Sequence, residues 1–417
     1  MKISRVKIYC QIKYFIFSIF LKLEKSKIAI KSKLSQQTNK KYVEFFGMCR
    51  TCFLVILEYL IKYKPKKNEI LICSYNLEEM IDIARIYKFK VKLIDINMDK
   101  GSMDLKSLYE NISDSTAAVL FTNMFNNHDD IRELQKVCKE NDILLIEDNA
   151  IYFGNYLKEN ENKIFSGSFG DVSIFSFGLM KNVSAIFGGA LVTSNKDLFN
   201  FAVEKNKNFQ TFPLILYFKK FMLFVILKVL LSKYIYNIFF FYVVKLAHDF
   251  KIRSILKLIY PSFSFKPKKN IPTDYKSKIS NTSLKIIYQI MNNSNFEIDW
   301  QKRKFNNELY YNLLSKNPNI KQVKIVDFNY QNFLDYPIIV KKNKDNLVKF
   351  LFKKGLEIRY HFYANFEKYM SFTNTPISTS KYYEDNLICL PSHPDIDTKK
   401  VERYCEEINN FYLNEQN

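Results

Sequence analysis

Hydrophobic and polar positions alternate in two registers along this chain. Short apolar runs rich in β-branched residues fall at residues 69–74, 91–95, 117–122, 143–148, 172–177 and 189–193. Between them lie helical periods at residues 77–87, 105–112 and 131–138, the last with Ile131, Leu134, Val137 and Cys138 on one face. Strands alternating with helices predict βαβ units and a mostly parallel central sheet flanked by helices, an α/β fold. Ligands of such sheets gather beyond the carboxyl ends of the strands. Four segments are expected: a basic, aromatic, helical N-terminus (1–40), a large α/β domain (41–210), an apolar insertion (211–262) and a smaller C-terminal α+β domain (263–417). The last should carry a helix at 297–314, a strand at 333–340, a helix at 346–354, a short apolar run at 356–360 and a final helix capped by Asp397.

Composition narrows the class. An apolar fraction of 47% and a charged fraction of 25% over 417 residues exclude a disordered chain. A net charge of +21 calls for an anionic partner. The lysines are scattered and match no nucleic-acid-reading motif, so phosphorylated small molecules and anionic lipid are the better candidates. Tyr14 to Leu21 is bracketed by Lys13 and Lys22 without a following cleavage site, unlike an export signal. In the insertion, lysines interrupt every apolar run well short of the roughly 18–20 residues of a spanning helix, and they trace no clean helical stripe. Attachment to a membrane surface through snorkelling lysines is the preferred reading, and an interior hairpin or dimer contact is the alternative. Seven cysteines, an odd number, suit a reducing compartment. Cys49 and Cys52 form one C-x-x-C without the second pair a zinc site needs, and His128, His248, His361 and His393 have no metal-ligand spacing. No metal is expected.

Three positions carry chemistry. Strand 143–146 runs into Glu147-Asp148 at the sheet edge, Lys181 sits in a loop between two apolar strands, and Arg50-Thr51-Cys52 opens a long helix whose free N–H groups suit a phosphate. An aspartate, a loop lysine and hydroxyls at a helix start are what pyridoxal phosphate requires: an amine to bond its aldehyde and move protons, an acid to keep the ring nitrogen protonated, and donors for the phosphate.

The run Ile146-Glu147-Asp148-Asn149-Ala150 to Gly154, then Gly170-Asp171, then Phe175 through Lys181-Asn182 to Gly188-Gly189-Ala190-Leu191-Val192-Thr193, resembles the DegT–StrS family of sugar-nucleotide aminotransferases, pyridoxal-phosphate fold type I. Arg50-Thr51, Ser74-Tyr75-Asn76-Leu77 and Cys389-Leu390-Pro391-Ser392-His393-Pro394 match its flanking segments. The resemblance implies Lys181 as the catalytic lysine and Asp148 as the ring-nitrogen partner. Ser176, Thr51 and the Cys52 amide would bind phosphate, with Leu77 over the ring and Ile151 beside its hydroxyl. It implies glutamate as amino donor, a nucleotide-linked keto sugar as acceptor, and surface polysaccharide or lipopolysaccharide as the destination. It also implies a homodimer in which the 274–276 region reaches the partner's site, here on the cytoplasmic face of the membrane. The retained lysine speaks against the family's lysine-to-histidine dehydratase variant. Leu77 replaces an aromatic, Ile151 a Gln or His, Ile186 and Phe187 a glycine and an acid, and Asn123-Met124-Phe125-Asn126 a His-x-x-Gly. These departures leave open a catalytically degenerate, membrane-associated relative acting as a partner or regulator. Arg359 and His361 are further candidates for a substrate pocket.

Overall fold

The structure is a computed structural model and describes residues 2, 4–125, 128–252, 254–256, 267–293, 295–359, 364–365 and 377–414. A nine-stranded sheet forms the centre. Its order is Gln210–Thr211, Ser277–Lys278, Tyr42–Phe46, Gly189–Thr193, Val172–Ser176, Leu144–Asp148, Thr116–Thr122, Glu69–Cys73 and Lys90–Ile94. The five strands from Val172–Ser176 to Lys90–Ile94 pair in parallel, and Gly189–Thr193 is antiparallel to both its neighbours.

The pleat divides the side chains between two cores. Ile70, Ile72, Ala118, Leu120 and Ile146 face helices Cys49–Tyr63, Glu78–Ile86 and Lys196–Asn208. Their neighbours Leu71, Cys73, Val119, Phe121 and Leu145 face the opposite layer, which includes Leu23–Thr38, His128–Glu140 and Asn281–Met291. Both faces are covered, so the strands read as continuous apolar runs. The second core continues into a three-stranded antiparallel sheet, Ile320–Lys321, Asp335–Val340 and Leu387–Pro391, with helices Asn295–Leu314, Lys344–Lys353 and Thr398–Asn414. Asp397 caps the last of these through the Lys400 N–H at 3.0 Å. Residues 356–359 form no strand; Arg359 bridges Cys389 and pairs with Asp335 of the small sheet at 2.9 Å. Part of the expected C-terminal segment also joins the large sheet, at Ser277–Lys278.

The N-terminus holds helices Ile12–Ser18 and Leu23–Thr38, preceded by a non-helical stretch at residues 4–10. The insertion comprises helices Leu214–Leu230 and Phe241–Asp249 joined through a π-helical turn, Tyr236–Phe240. A π turn shifts the helical phase, and the chain also breaks at Leu231–Ser232. A single helical wheel therefore scatters the lysines, while in space the segment is two-sided. Phe224, Leu227, Tyr236, Phe240, Phe241 and Val244 are buried in the core. Leu214, Phe218, Met222, Ile226, Ile238 and Leu246 are exposed. No helix among the described residues is long and apolar enough to cross a membrane.

Candidate active site

Asp148 pairs in register with Ile174 on the neighbouring parallel strand, so Asp148 and Ser176 emerge at the same edge of the sheet. On the next strand Gly189 stands opposite Ser176. A Cβ on Gly189 would overlap the Met48 carbonyl and the Cys49 nitrogen. Absence of a side chain there is what lets the start of helix Cys49–Tyr63 press against the strand ends, and it explains the Gly-Gly pair mechanically. Gly189→Ala should destabilise the protein by ~1–3 kcal/mol through overpacking. Calorimetric melting checks this; an unchanged melting temperature would mean the helix start has room to move.

Met48 precedes that helix without a side-chain cap, which leaves N–H groups of the first turn open. Thr51 is fully buried and its Oγ1 has no hydrogen-bond partner. A buried, unsatisfied hydroxyl costs about 1–3 kcal/mol. At a helix N-terminus, where free N–H groups and the dipole favour negative charge, it is a group waiting for an anion. Cys52 is also fully buried, its thiol directed to the Met48 carbonyl at 3.7 Å.

Lys181 lies in a tightly tied loop. Its N–H donates to the Gly178 carbonyl at 3.0 Å, Asn182 Nδ2 donates to the Phe153 carbonyl at 2.8 Å, and Ser184 Oγ donates to the Leu179 carbonyl at 2.8 Å. Burial brings the Lys181 amine down from 10.5 to about 8, with Asp148 and Cys49 opposing and Arg359 and Arg50 reinforcing the shift. Burial raises the Asp148 carboxyl from 3.8 to about 6, against the Ala150 N–H bond and the charge of Lys181. Lys181 and Asp148 thus share one poorly solvated space. Cys49 faces both, its thiol held protonated by burial.

Leu77 is half-buried at the start of helix Glu78–Ile86, its N–H bonded to Asn76 Oδ1 at 2.7 Å, and Ile151 is half-buried against the core. His361 and Asn126 lie outside the described residues. Sequence reading passed over Arg50 as a functional charge, because in the family motif its place belongs to a glycine. Its guanidinium donates to Tyr275 Oη at 2.7 Å and pairs with Glu79 at 3.2 Å. Ile186 takes a left-handed backbone, φ 67°, at another position the family gives to glycine.

Residues 41–207 and 265–409, well over half of the chain, match the profile of the DegT/DnrJ/EryC1/StrS aminotransferase family. The chain belongs to this family. It is 28% identical over 150 residues to the GDP-4-keto-6-deoxy-D-mannose 3-dehydratase of Escherichia coli O55:H7, an alignment covering 35% of this chain and 38% of that protein. It is 33% identical over 104 residues to the GDP-perosamine synthase of Vibrio cholerae, covering 25% and 27%. The chain therefore spans well under half the length of these curated relatives. Among solved structures, Helicobacter pylori PseC, an aminotransferase involved in pseudoaminic acid biosynthesis, superposes with a TM-score of 0.72 at 15% identity, covering 99% of this chain and 100% of that one. A mutant GDP-4-keto-6-deoxymannose-3-dehydratase with bound GDP-perosamine gives 0.71 at 18% identity, covering 97% and 99%. The fold is that of pyridoxal-phosphate fold type I.

The residues present fit pyridoxal phosphate. The orphaned Thr51 hydroxyl, the open N–H groups behind it and Ser176 suit the phosphate. Asp148 supplies an acid whose charge needs a cationic partner, and Lys181 an amine within its field. Thr51→Val keeps the shape and removes the hydroxyl. Its expected result is a cofactor affinity lower by about 10–150-fold, since a hydrogen bond to a charged group contributes roughly 1.5–3 kcal/mol. The apoprotein should melt no lower than wild type. A drop in apoprotein melting would instead mark Thr51 as structural.

Proposed function

We propose that the chain is a pyridoxal-phosphate-dependent aminotransferase that moves the amino group of glutamate to a keto group of a nucleotide-linked sugar destined for surface polysaccharide. One observation carries this reading: Lys181, the residue that the family's dehydratase variant replaces with histidine, is retained and held near pH 8 beside Asp148. Pyridoxal phosphate, when bound, supplies an electron-poor ring that takes up the electron pair released at the substrate carbon. The protein's part is to hold that chemistry in place. Thr51, the first-turn N–H groups and Ser176 fix the phosphate, and Asp148 keeps a proton on the ring nitrogen. Leu77 and Ile151, both apolar and half-buried, would offer the ring packing and no hydrogen bond. Lys181 takes the proton from the donor carbon and returns it to the acceptor. The test is 2-oxoglutarate release from glutamate in the presence of nucleotide-linked 4-keto and 3-keto sugars. Dehydration of the sugar without amine incorporation would sink the reading.

The assembly proposed with this is a homodimer, as the family resemblance implies, and sedimentation velocity reports it directly. Peripheral attachment to the cytoplasmic face of a membrane is proposed from the outward face of the insertion. Leu214 is 85% exposed, Ile238 76% and Phe250 73%. Residues 212–252 also carry six lysines against one acid, Asp249. Helix Ile12–Ser18 adjoins this face through Phe15 on Phe221, with Ile16 and Phe17 exposed beside it. Such a surface suits the headgroup layer of anionic lipid. Replacing both Phe218 and Ile238 with glutamate, at positions outside the core, should move the protein from sedimenting phosphatidylglycerol vesicles to the supernatant with its melting unchanged. Equal sedimentation of the variant would remove the membrane reading.

A further inference from the structure

The first ten residues alternate in a way the family resemblance does not cover. Val6, Ile8 and Cys10 are buried in the core, whereas Lys7 and Tyr9 are half-buried and line a pocket together with the buried Arg5 and Val6. This is the period of two expected when a chain runs over a surface with one set of side chains inward. The far wall of the pocket is Met180, adjacent in sequence to Lys181, together with Asp335, Arg359 and His393. Arg359 is near enough to influence the Lys181 amine. Met180 therefore brings one wall of the pocket next to Lys181 along the chain.

Its polar groups are of two kinds. Lys7 and Arg359 bring positive charge, held by Asp395 at 3.0 Å and Asp335 at 2.9 Å respectively. Tyr9 Oη and His393 Nδ1 are shielded from water; His393 Nδ1 has no hydrogen-bond partner, and Tyr9 Oη faces the buried Arg303 guanidinium, which leaves its O–H free to donate. His393 Nε2 lies 3.0 Å from the Ser4 carbonyl, which fixes the proton on Nε2 and leaves Nδ1 as an acceptor. Burial raises the Tyr9 hydroxyl to about 12, so it stays a donor at neutral pH. One unmet donor and one unmet acceptor, beside two cations that already hold carboxylate partners, suit a polyhydroxylated ligand whose anionic part would displace or share those partners.

The insertion holds this stretch down. Lys228 Nζ donates to the Ile8 carbonyl at 2.7 Å. The Lys2 N–H and Nζ reach Asn237 at 2.6 and 2.7 Å. Glu357 accepts from both the Arg5 N–H at 3.0 Å and Tyr236 Oη at 2.7 Å. Residues 5–9 and the clamping Lys228, Tyr236 and Asn237 fall outside residues 41–207 and 265–409, the ranges shared with the family, whereas Glu357 falls within them. Two segments outside the family match thus meet at one pocket, whose lining residue Met180 adjoins Lys181 in sequence.

We infer that residues 5–9 form a substrate-recognition strap, in which Lys7 and Tyr9 contact the sugar diphosphate of the nucleotide-linked substrate while Lys228 and Asn237 of the insertion fix the strap in place. The inference rests on the aminotransferase reading for its choice of ligand. Lys7 supplies charge to the diphosphate, and Tyr9 with His393 brackets a sugar hydroxyl. The insertion acts on the pocket from a distance as a positioning element.

Titration calorimetry of the cofactor-loaded protein tests this, with UDP-N-acetylglucosamine, GDP-mannose and dTDP-glucose as non-reacting probes. For the probe that wild type binds tightest, Tyr9→Phe and Lys7→Met should each weaken binding about 5–20-fold. Lys228→Met should weaken it in the same direction. The rate at which glutamate bleaches the cofactor band should change by less than twofold in the strap variants. Unchanged probe affinity in both strap variants, or an equal loss of the glutamate response, overturns the strap. If wild type responds to glutamate but binds none of the probes, the assigned ligand class falls while the aminotransferase reading stands. If glutamate has no effect yet the variants still weaken probe binding, the strap stands and the aminotransferase reading falls.

Discussion

Lys181→Ala should cost the protein amino transfer by roughly 10²–10⁴-fold or more, the usual contribution of a positioned acid–base group. It should also abolish the visible band that purified or reconstituted wild type shows with pyridoxal phosphate, and with it the bleaching by glutamate. Both effects follow from one amine: the residue that bonds the cofactor is also the proton carrier. The pH dependence of loading gives a second readout. An amine attacks only when neutral, and burial places the Lys181 midpoint at about 8 instead of 10.5. Loading of the apoprotein should therefore accelerate about tenfold per pH unit up to about 8 and level off above it. A rate still climbing at pH 10 would mean that Lys181 is solvated and that the low-dielectric site does not exist. A Lys181→Ala variant with an unaltered band would move the cofactor bond to another lysine and take the assignment of Asp148 and Ser176 with it.

Much of this site was legible before any fold was known, for a physical reason. Asp148 ends a strand whose apolar run is buried on both faces, so periodicity located the sheet edge where it emerges, whereas Ser176 falls inside the apolar run 172–177 and was singled out by the family resemblance. Gly188-Gly189 was legible as a motif, but its cause, the Met48 and Cys49 backbone lying against the strand, required the third dimension. The insertion was half legible. Its apolar content was plain, yet the π turn at Tyr236–Phe240 reset the helical phase and hid the two-sidedness that buries Phe224 and exposes Phe218. The N-terminal ten residues were read as part of a helical segment because Tyr14 to Leu21 dominates the local pattern. Their alternation, Arg5-Val6-Lys7-Ile8-Tyr9-Cys10, is short, and nothing in it announces that a distant insertion, Glu357 and Asp335 of the small sheet all hold it. Arg359 was legible as a candidate for a substrate pocket, but its bridge to Cys389 and its influence on the Lys181 amine required the fold.

Asp148→Asn should have effects of opposite sign on activity and on stability. Amino transfer is expected to fall by roughly 10²–10³-fold, the scale for removing one fixed electrostatic partner of a developing charge, because an amide cannot keep the ring nitrogen protonated. The apoprotein should meanwhile become more stable at neutral pH. Asp148 is 4% exposed, and burial raises its carboxyl from 3.8 to about 6. A raised acid favours the folded state while protonated, below about pH 4, and loses that contribution as pH rises through about 6. At pH 7 the ionised carboxylate then costs on the order of 2–3 kcal/mol. Asparagine removes that cost, so the variant's advantage in chemical denaturation should be present at pH 7, shrink between pH 6 and 4, and vanish below. Cofactor binding should narrow the gap from the wild-type side, since a protonated ring nitrogen gives the carboxylate the partner that solvent denies it. The Thr51 hydroxyl obeys the same logic: unsatisfied in the apoprotein, useful only to an anion. A residue that destabilises the empty fold and is indispensable to the loaded one has been kept for chemistry, a trade between stability and activity. Should Asp148→Asn instead destabilise the apoprotein at pH 7, the carboxylate would be a structural cap for Ala150, and the site would lose the acid on which its chemistry depends.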